Sequence, residues 1–189
     1  MKLLICGDSF AADWTVKYAG EGWPNMLATQ HKVTNVAQAG CGEYKILKQL
    51  QSQKLQKYDA IVISHTSPYR VHTLYHPIHN IDSLHGNSDF IYSDVKAHGI
   101  NSMTEYFEEF FDLKYATDVH SLLCEKINTV TSPYKTIHIT HFDWLGLYPF
   151  PNLINFNKIH SQHSGNMNHY TEAGNLMVYN RLKERLDSM

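Results

Sequence analysis

The first ten residues, MKLLICGDSF, carry the feature that most constrains how this chain can fold. The run Leu-Leu-Ile-Cys at 3–6 has the length and composition of a parallel strand that is buried on both faces. It stops at Gly7, Asp8 and Ser9, which places a serine at the carboxyl end of the strand. In open α/β sheets, ligands bind in the crevice outside those ends. Ser9 is therefore a candidate nucleophile, although Gly-Asp-Ser also suits an ordinary polar turn.

The rest of the chain alternates strand-like apolar runs with helical patterns. We predict further strands over 31–36, 59–64, 134–140 and 152–156, and helices over 24–30, 43–56, 102–130 and 170–186. This alternation predicts a three-layer α/β/α sandwich with a parallel sheet of about five strands. Right-handed crossovers bring every carboxyl end to one edge, so residues that follow the strands are expected to converge there.

Length and composition favour one globular domain over 1–189, since 189 residues with 43% hydrophobic content can bury a sizeable core. Residues 65–101 interrupt the pattern, being polar and without a sustained period. A connection this long inside a compact domain is usually functional or mobile, and we interpret it as a lid insertion.

Charge and cysteine content exclude several classes of partner. The formal charge of -2 and the absence of basic runs argue against a nucleic-acid partner. No stretch approaches the roughly 18 apolar residues of a membrane span, and no signal peptide is recognisable, so we expect a cytoplasmic protein without a membrane partner. Cys6, Cys41 and Cys124 are scattered and odd in number, which predicts reduced, buried thiols. The oligomeric state is left open.

Two motifs, one near each end of the sequence, together resemble those of the SGNH (GDSL-type) hydrolase family. Gly-Asp-Ser-Phe at 7–10 matches the first block of the family, which carries the nucleophile, here Ser9. The fifth block, Asp-x-x-His, falls on 166–169, where His169 is kept and Asn166 replaces the carboxylate. The resemblance implies a serine esterase that acts on a small ester or an O-acylated carbohydrate, without metal or other cofactor.

The middle blocks of the family supply the oxyanion hole. The segment 35–42 matches the second block, so Gly40 and Ser9 would each contribute a backbone N–H. The third block normally contains an asparagine, and residues 64–70 occupy its place without one. A hydroxyl of Thr66 or Ser67 can donate one hydrogen bond instead.

An aromatic segment over 142–150 follows the fourth predicted strand. Trp144, Tyr148 and Phe150 can wall an apolar substrate pocket or can simply cover the end of the sheet. Asp143, in the same segment, is the nearest alternative carboxylate for orienting His169.

Two other functions stay open at this point. A binding module that keeps the fold but has weakened or lost catalysis would explain Asn166. A metal-dependent hydrolase is the other, because His72, His76 and His79 have the spacing of one helical face, although Pro77 opposes a helix there. Most of the thirteen histidines are expected to be solvated loop residues.

Asn166→Asp tests whether missing charge limits activity. A carboxylate stabilises the imidazolium that forms during acyl transfer, and in serine proteases its replacement by an amide lowers turnover about ten-thousand-fold. We expect Asn166→Asp to raise ester turnover by ten-fold or more by order of magnitude, measured as rate against pH between about pH 5 and 9. No gain there, with activity lost in Asp143→Asn, would make Asp143 the orienting acid.

Overall fold

The chain forms a five-stranded sheet in which each strand runs parallel to its neighbours. The computed structural model describes residues 1–16, 20–79, 84–143, 148–165 and 169–189. The strands are β1 (Lys2–Gly7), β2 (Lys32–Asn35), β3 (Ala60–Ser64), β4 (Thr136–Thr140) and β5 (Leu153–Asn155). Their order in the sheet is β2-β1-β3-β4-β5. The predicted α/β architecture is therefore confirmed. Strand β1 is longer than the apolar run at 3–6, and the other four strands are present and slightly shorter than predicted.

Helices cover both faces of the sheet. They are α1 (Trp23–Ala28), α2 (Glu43–Gln51), α3 (Tyr92–Ala97), α4 (Asn101–Glu105), α5 (Leu113–Thr131), α6 (Asn157–Gln162) and α7 (Glu172–Asp187). Helix α1 packs against α7, and α2 packs against α5. These two pairs are the outer layers of the three-layer sandwich.

The strand β1 shows why its sequence forms the centre of the sheet. Successive side chains of a strand point to opposite faces, so Leu3 and Ile5 pack with α1 and α7, whereas Leu4 and Cys6 pack with α2 and α5. All four are fully buried. A strand that is apolar at every position can only occupy the middle of a sheet covered on both sides.

The strand order fixes where a ligand site is expected. The chain leaves β1 toward β2 on one side and later returns to β3 on the other, so the crossover direction reverses between β1 and β3. In doubly wound sheets with this 2-1-3-4-5 order, ligands bind at the switch point beyond the carboxyl ends of those strands. Ser9 follows β1, and Thr66 follows β3.

The single helix predicted over 102–130 is wrong, because the structure divides it. Helix α4 runs into a π-helical turn (Tyr106–Phe110), and the backbone is extended at Phe111. Helix α5 then starts anew, with the side chain of Asp112 accepting a hydrogen bond from the N–H of Tyr115 at 2.9 Å. Aspartate favours helix starts for this reason. The apolar spacing alone did not reveal the cap.

The expectation that most histidines are solvated is also wrong. Buried histidines are His65, His76, His120, His138, His141 and His160. The proposed helical face of 72–79 is absent too, since the structure describes no helix in that segment. Instead, Val71 pairs with Phe90 in an antiparallel bridge, which ties the two halves of the predicted lid insertion together.

The cysteine prediction is confirmed, since Cys6, Cys41 and Cys124 are all buried and free. Burial raises the pKa of Cys41 to about 12, so it stays a thiol. Among the described residues, no helix is both long and apolar enough to cross a membrane.

Candidate functional site

Ser9 and His169, from opposite ends of the chain, line one cleft of about 840 Å³. Aromatic side chains form much of its wall, and two carboxylates, Glu21 and Glu172, lie on it as well. The cleft therefore unites the two residues on which the sequence hypothesis depends most.

Two indoles hold the turn that carries Ser9. Trp14 Nε1 donates a hydrogen bond to the carbonyl oxygen of Ser9 at 2.7 Å, and Trp23 Nε1 donates to that of Phe10 at 2.8 Å. The side chain of Asp8 accepts from the N–H of Phe10 at 3.1 Å. Backbone groups fixed in this way keep Ser9 in one position at the end of β1.

Gly7 is required where β1 enters this turn. Its φ is +154°, and a Cβ there would lie 2.6 Å from the Cβ of Ser64 on the neighbouring strand. Its N–H and carbonyl are both bound by the side-chain amide of Gln49 from α2. A larger residue would push β1 and β3 apart directly beneath the candidate nucleophile.

The ring of His169 is held by two aromatic neighbours. Its centroid lies 4.8 Å from that of Trp14 and 5.0 Å from that of Phe10. Its backbone is fixed as well, because the carbonyl of His169 accepts from the N–H of Gly165 and the next residue, Tyr170, forms a bridge with Ser164. Trp14 therefore touches both the Ser9 backbone and the imidazole.

No hydrogen bond between described residues joins Ser9 Oγ to His169. The two side chains share the cleft, but the proton-transfer contact that a nucleophile needs is not formed in this conformation. Catalytic hydrogen bonds are often long or misaligned before substrate binds and tighten in the complex. The geometry is compatible with a dyad that closes around its substrate.

Asp8 anchors a buried polar chain directly beneath the site. Its Oδ1 lies 3.2 Å from the hydroxyl of Ser64, which lies 3.0 Å from Nε2 of His141. Nδ1 of the same imidazole lies 2.7 Å from the hydroxyl of Tyr170, a residue that lines the cleft. Burial lowers the pKa of His141 well below its ordinary value, so this ring is neutral. This series of hydrogen-bonded side chains links the turn that carries Ser9 to the segment that carries His169.

Burial also raises the pKa of Asp8 from 3.8 to about 6, against the opposing effect of the nearby Arg70 guanidinium. The folded state therefore binds the Asp8 proton more tightly than the unfolded state does. The associated stability is fully present below about pH 4 and is lost as the pH rises through about 6. The change in pKa from 3.8 to about 6 corresponds to roughly 3 kcal/mol of unfolding free energy.

Asp8→Asn is expected to remove this pH dependence, because asparagine mimics the protonated acid. Denaturant unfolding of wild type and variant should give a free-energy difference that grows between about pH 4 and 7 in favour of the variant, by up to about 3 kcal/mol. The exposed Glu125, changed to Gln, is the control for removing a carboxylate. A difference that is flat with pH would contradict the raised pKa.

Gly40 lies at the turn after β2, in a conformation with φ of +76°. Its carbonyl accepts from Arg70 Nη1 at 3.1 Å and from the N–H of Asp89 at 2.9 Å. A Cβ at this position would lie 2.4 Å from the hydroxyl of Ser88. Gly40 therefore packs against the 65–101 segment, and in the described part of the chain it is not among the cleft-lining residues.

Thr66 and Ser67 are both buried just beyond β3. Thr66 Oγ1 accepts from Arg70 Nε at 3.1 Å, and Ser67 Oγ accepts from the N–H of Tyr69 at 3.0 Å. The hydroxyl of Thr66 is also close enough to the Asp8 carboxyl to lower its pKa. Thr66 thus belongs to the network around Asp8, whereas the Ser67 hydroxyl bonds within its own turn. The role of the two hydroxyls as oxyanion donors stays a prediction.

A second buried network begins at Glu43, the first residue of α2. Its carboxylate lies 2.7 Å from His65 Nδ1 and 3.4 Å from His120 Nε2, and it accepts from the N–H of Thr66 at 3.2 Å. Burial alone would raise the pKa of Glu43, but the two histidines outweigh it and hold the pKa well below the ordinary value. Burial lowers the pKa of the adjoining His138 to about 3. This network fixes the residues that follow β3.

The structure describes three of the five remaining predicted site residues, namely Asp143, Tyr148 and Phe150. Asp143 accepts hydrogen bonds from the side chains of Asn155 and Asn157, each at 2.5 Å. Phe150 is buried, with its ring stacked on His138 at 4.0 Å, and Tyr148 lies against it at 5.1 Å. Asn166 and Trp144 lie outside the described residues. The orienting and pocket roles of these residues stay predictions.

Sequence reasoning missed three residues that shape the cleft, namely Trp14, Phe10 and Tyr170. Trp14 begins a single turn of 3-10 helix, which is too short for a periodic pattern to mark it. Phe10 adjoins Ser9 and was treated only as part of a motif, yet its ring stacks on His141 at 4.3 Å. The usable signal was adjacency to the candidate catalytic residues, of Phe10 to Ser9 and of Tyr170 to His169.

Comparison with models of known protein families gave no match, and a search of curated proteins found no relative of this chain.

Proposed function

We propose that this protein is a serine ester hydrolase of the SGNH type, acting on a small ester or an O-acylated carbohydrate. The observation that carries the proposal is the convergence of Ser9, which follows β1, and His169, which precedes α7, on one cleft. A serine beside a histidine in a partly enclosed cleft is the minimal arrangement for acyl transfer. The Gly-Asp-Ser-Phe motif and the motif that contains His169 support the same proposed function.

The reaction divides into two steps. His169 takes the proton of Ser9 Oγ as the oxygen attacks the ester carbonyl, and it then gives that proton to the departing alcohol. The resulting acyl-serine is hydrolysed by a water molecule that His169 activates in the same way. The backbone N–H group of Ser9, a residue that lines the cleft, is the proposed donor to the oxyanion.

The walls of the cleft favour a neutral, partly polar substrate. The aromatic rings of Trp14 and Tyr170 offer flat apolar surface, and the side chain of Asn175 offers an amide for hydrogen bonding. The carboxylates of Glu21 and Glu172 repel acidic groups. An acetylated neutral sugar combines these properties, whereas a substrate with a carboxylate or phosphate does not.

One observation favours the alternative of a binding module. The structure shows no hydrogen bond from Ser9 Oγ to a described residue, so no described side chain activates the hydroxyl in this conformation. A chain that uses the same cleft only to hold an acylated sugar would need no such contact. The two functions differ in whether Ser9 is reactive.

A fluorophosphonate probe distinguishes the hydrolase from the binding module, because it reacts with an activated serine and not with an ordinary hydroxyl. We expect wild-type protein to be labelled on the peptide that contains Ser9, and the Ser9→Ala variant to be unlabelled. Ser161→Ala, which removes an exposed hydroxyl of α6, is the matched control and should label fully. Wild type that resists the probe, yet binds an acetylated sugar in calorimetry, would identify a binding module.

A further inference from the structure

A second polar cluster, apart from the Ser9–His169 cleft, forms where the 76–79 segment meets α3. Nε2 of His79 lies 3.0 Å from Oδ2 of Asp94, and Nε2 of His76 lies 3.4 Å from the same oxygen. One ligand atom from each of the three residues can be chosen so that all lie within 4.8 Å of one another. The predicted helical face is wrong, but two of its three histidines meet here.

His76 provides an observation that packing does not explain. Its side chain is fully buried, and its Nε2 makes no hydrogen bond to any residue that the structure describes. A buried polar atom left without a partner costs about 1–3 kcal/mol unless something else satisfies it. The Asp94 carboxylate lies 3.4 Å from this nitrogen.

We propose that His76, His79 and Asp94 bind a divalent cation of the zinc class. Zinc prefers imidazole and carboxylate ligands at 2.0–2.2 Å in tetrahedral geometry, which places neighbouring ligand atoms roughly 3.3 Å apart. The two distances to Asp94 Oδ2, 3.0 and 3.4 Å, bracket that value. Three protein ligands leave the fourth position for water, and the half-buried His79 and Asp94 leave a side open for it.

Cation binding requires one change at His76. Its Nδ1 accepts long contacts, 3.3 Å each, from the N–H groups of Ile78 and His79. A neutral imidazole that gives its Nε2 lone pair to a metal carries its proton on Nδ1. The two long contacts must therefore open when the cation binds, which is a small movement within one turn of the backbone.

His98 orients the carboxylate for this role. Its Nδ1 lies 3.0 Å from the backbone carbonyl oxygen of Asp94 and 3.1 Å from Oδ1 of the same residue, which leaves Oδ2 to face His76 and His79. Partners that hold a ligating carboxylate in this way commonly change metal affinity by 10–100-fold. His98 is thus a positioning residue and not a ligand.

The cluster is connected to the Ser9–His169 cleft through rings. The centroid of His79 lies 5.3 Å from that of His85, which lies 5.7 Å from that of Trp14. Trp14 in turn contacts His169. A bound cation would therefore fasten the 65–101 segment beside the cleft.

Zinc titration of the purified, chelator-treated full chain tests the proposal without reference to esterase activity. Calorimetry is expected to give one zinc per chain, and zinc should raise the melting temperature in a way that EDTA reverses. Asp94→Asn and His79→Ala should each weaken zinc affinity by at least about tenfold, and His98→Ala by about tenfold. All variants are first checked for native circular dichroism.

His72→Ala is the matched control, because its Nδ1 pairs with Asp89 at 3.3 Å and not with Asp94. It should leave zinc affinity unchanged. Cobalt reports the ligands, since a thiolate charge-transfer band would place the metal at the buried group of Glu43, His120 and Cys124 instead. That band, unchanged affinity in folded Asp94→Asn and His79→Ala, or no zinc binding by wild type would each overturn the proposal.

Discussion

Ser9→Ala is expected to lower kcat/KM for p-nitrophenyl acetate by about 10³-fold or more, to a residual rate that the cleft and its backbone donors sustain. The reason is that the other hydroxyls among the described cleft residues are engaged elsewhere: that of Tyr170 lies 2.7 Å from His141 Nδ1, and that of Thr171 caps α7. The acyl-enzyme therefore cannot form without Ser9. Turnover by purified protein, with Ser161→Ala as the control, measures the effect.

The same substitution should leave the fold intact. The hydrogen bonds that hold the turn use the backbone of Ser9 and Phe10, through Trp14 and Trp23, and none of the described bonds uses Ser9 Oγ. Melting temperatures of wild type and variant should therefore agree closely. Unchanged turnover in a folded Ser9→Ala protein would contradict the nucleophile assignment, whereas loss of the fold would show that the serine is structural.

The sheet could be predicted from the sequence because its signals are local. The uninterrupted apolar runs that became β1 and β3 can be satisfied only by burial on both faces, and the helical patterns between them require parallel connections. The start of α5 was missed because a single capping residue, Asp112, outweighs the apolar spacing that runs through it. Local periodicity identifies elements better than it identifies their ends.

The buried histidines could not be predicted because their partners are distant in sequence. His65 is satisfied by Glu43 and His138, and His141 by Ser64 and Tyr170. Each of these contacts exists only after the strands have been placed side by side. A histidine with no partner nearby in the sequence looks like a solvated residue, although the fold supplies its hydrogen bonds.

The residues of the candidate site differ in the same way: some have a local sequence signal, and others depend on contacts that only the fold creates. Ser9 could be predicted, since its motif directly follows a recognisable strand, and His169 could be predicted from the motif before the last helix. Trp14 could not, because its two functional contacts, with the Ser9 carbonyl and the His169 ring, depend on the folded position of its loop. The two candidate catalytic residues belong to motifs, whereas Trp14, which contacts both, does not.

His169→Ala is the second substitution with a large expected effect. Without a base, the Ser9 hydroxyl stays protonated at neutral pH, and kcat for p-nitrophenyl acetate should fall by about 10³-fold or more while KM changes little. The wild-type rate should rise with pH through the window in which histidine titrates, about pH 5 to 8, and the variant should lose that rise. Rate against pH for both proteins is the measurement.

His163→Ala is the matched control for this experiment. His163 is half-buried, and its described hydrogen bonds are made by its backbone: its N–H donates to the carbonyl of Ile159 at 2.9 Å, and its carbonyl accepts from the N–H of Thr171 at 2.8 Å. Alanine keeps both bonds, so turnover and its pH dependence should resemble those of wild type. If His169→Ala keeps the wild-type pH profile while Ser9→Ala is inactive, another group activates the serine. In that case the cleft-lining Glu172 would be the next base to test.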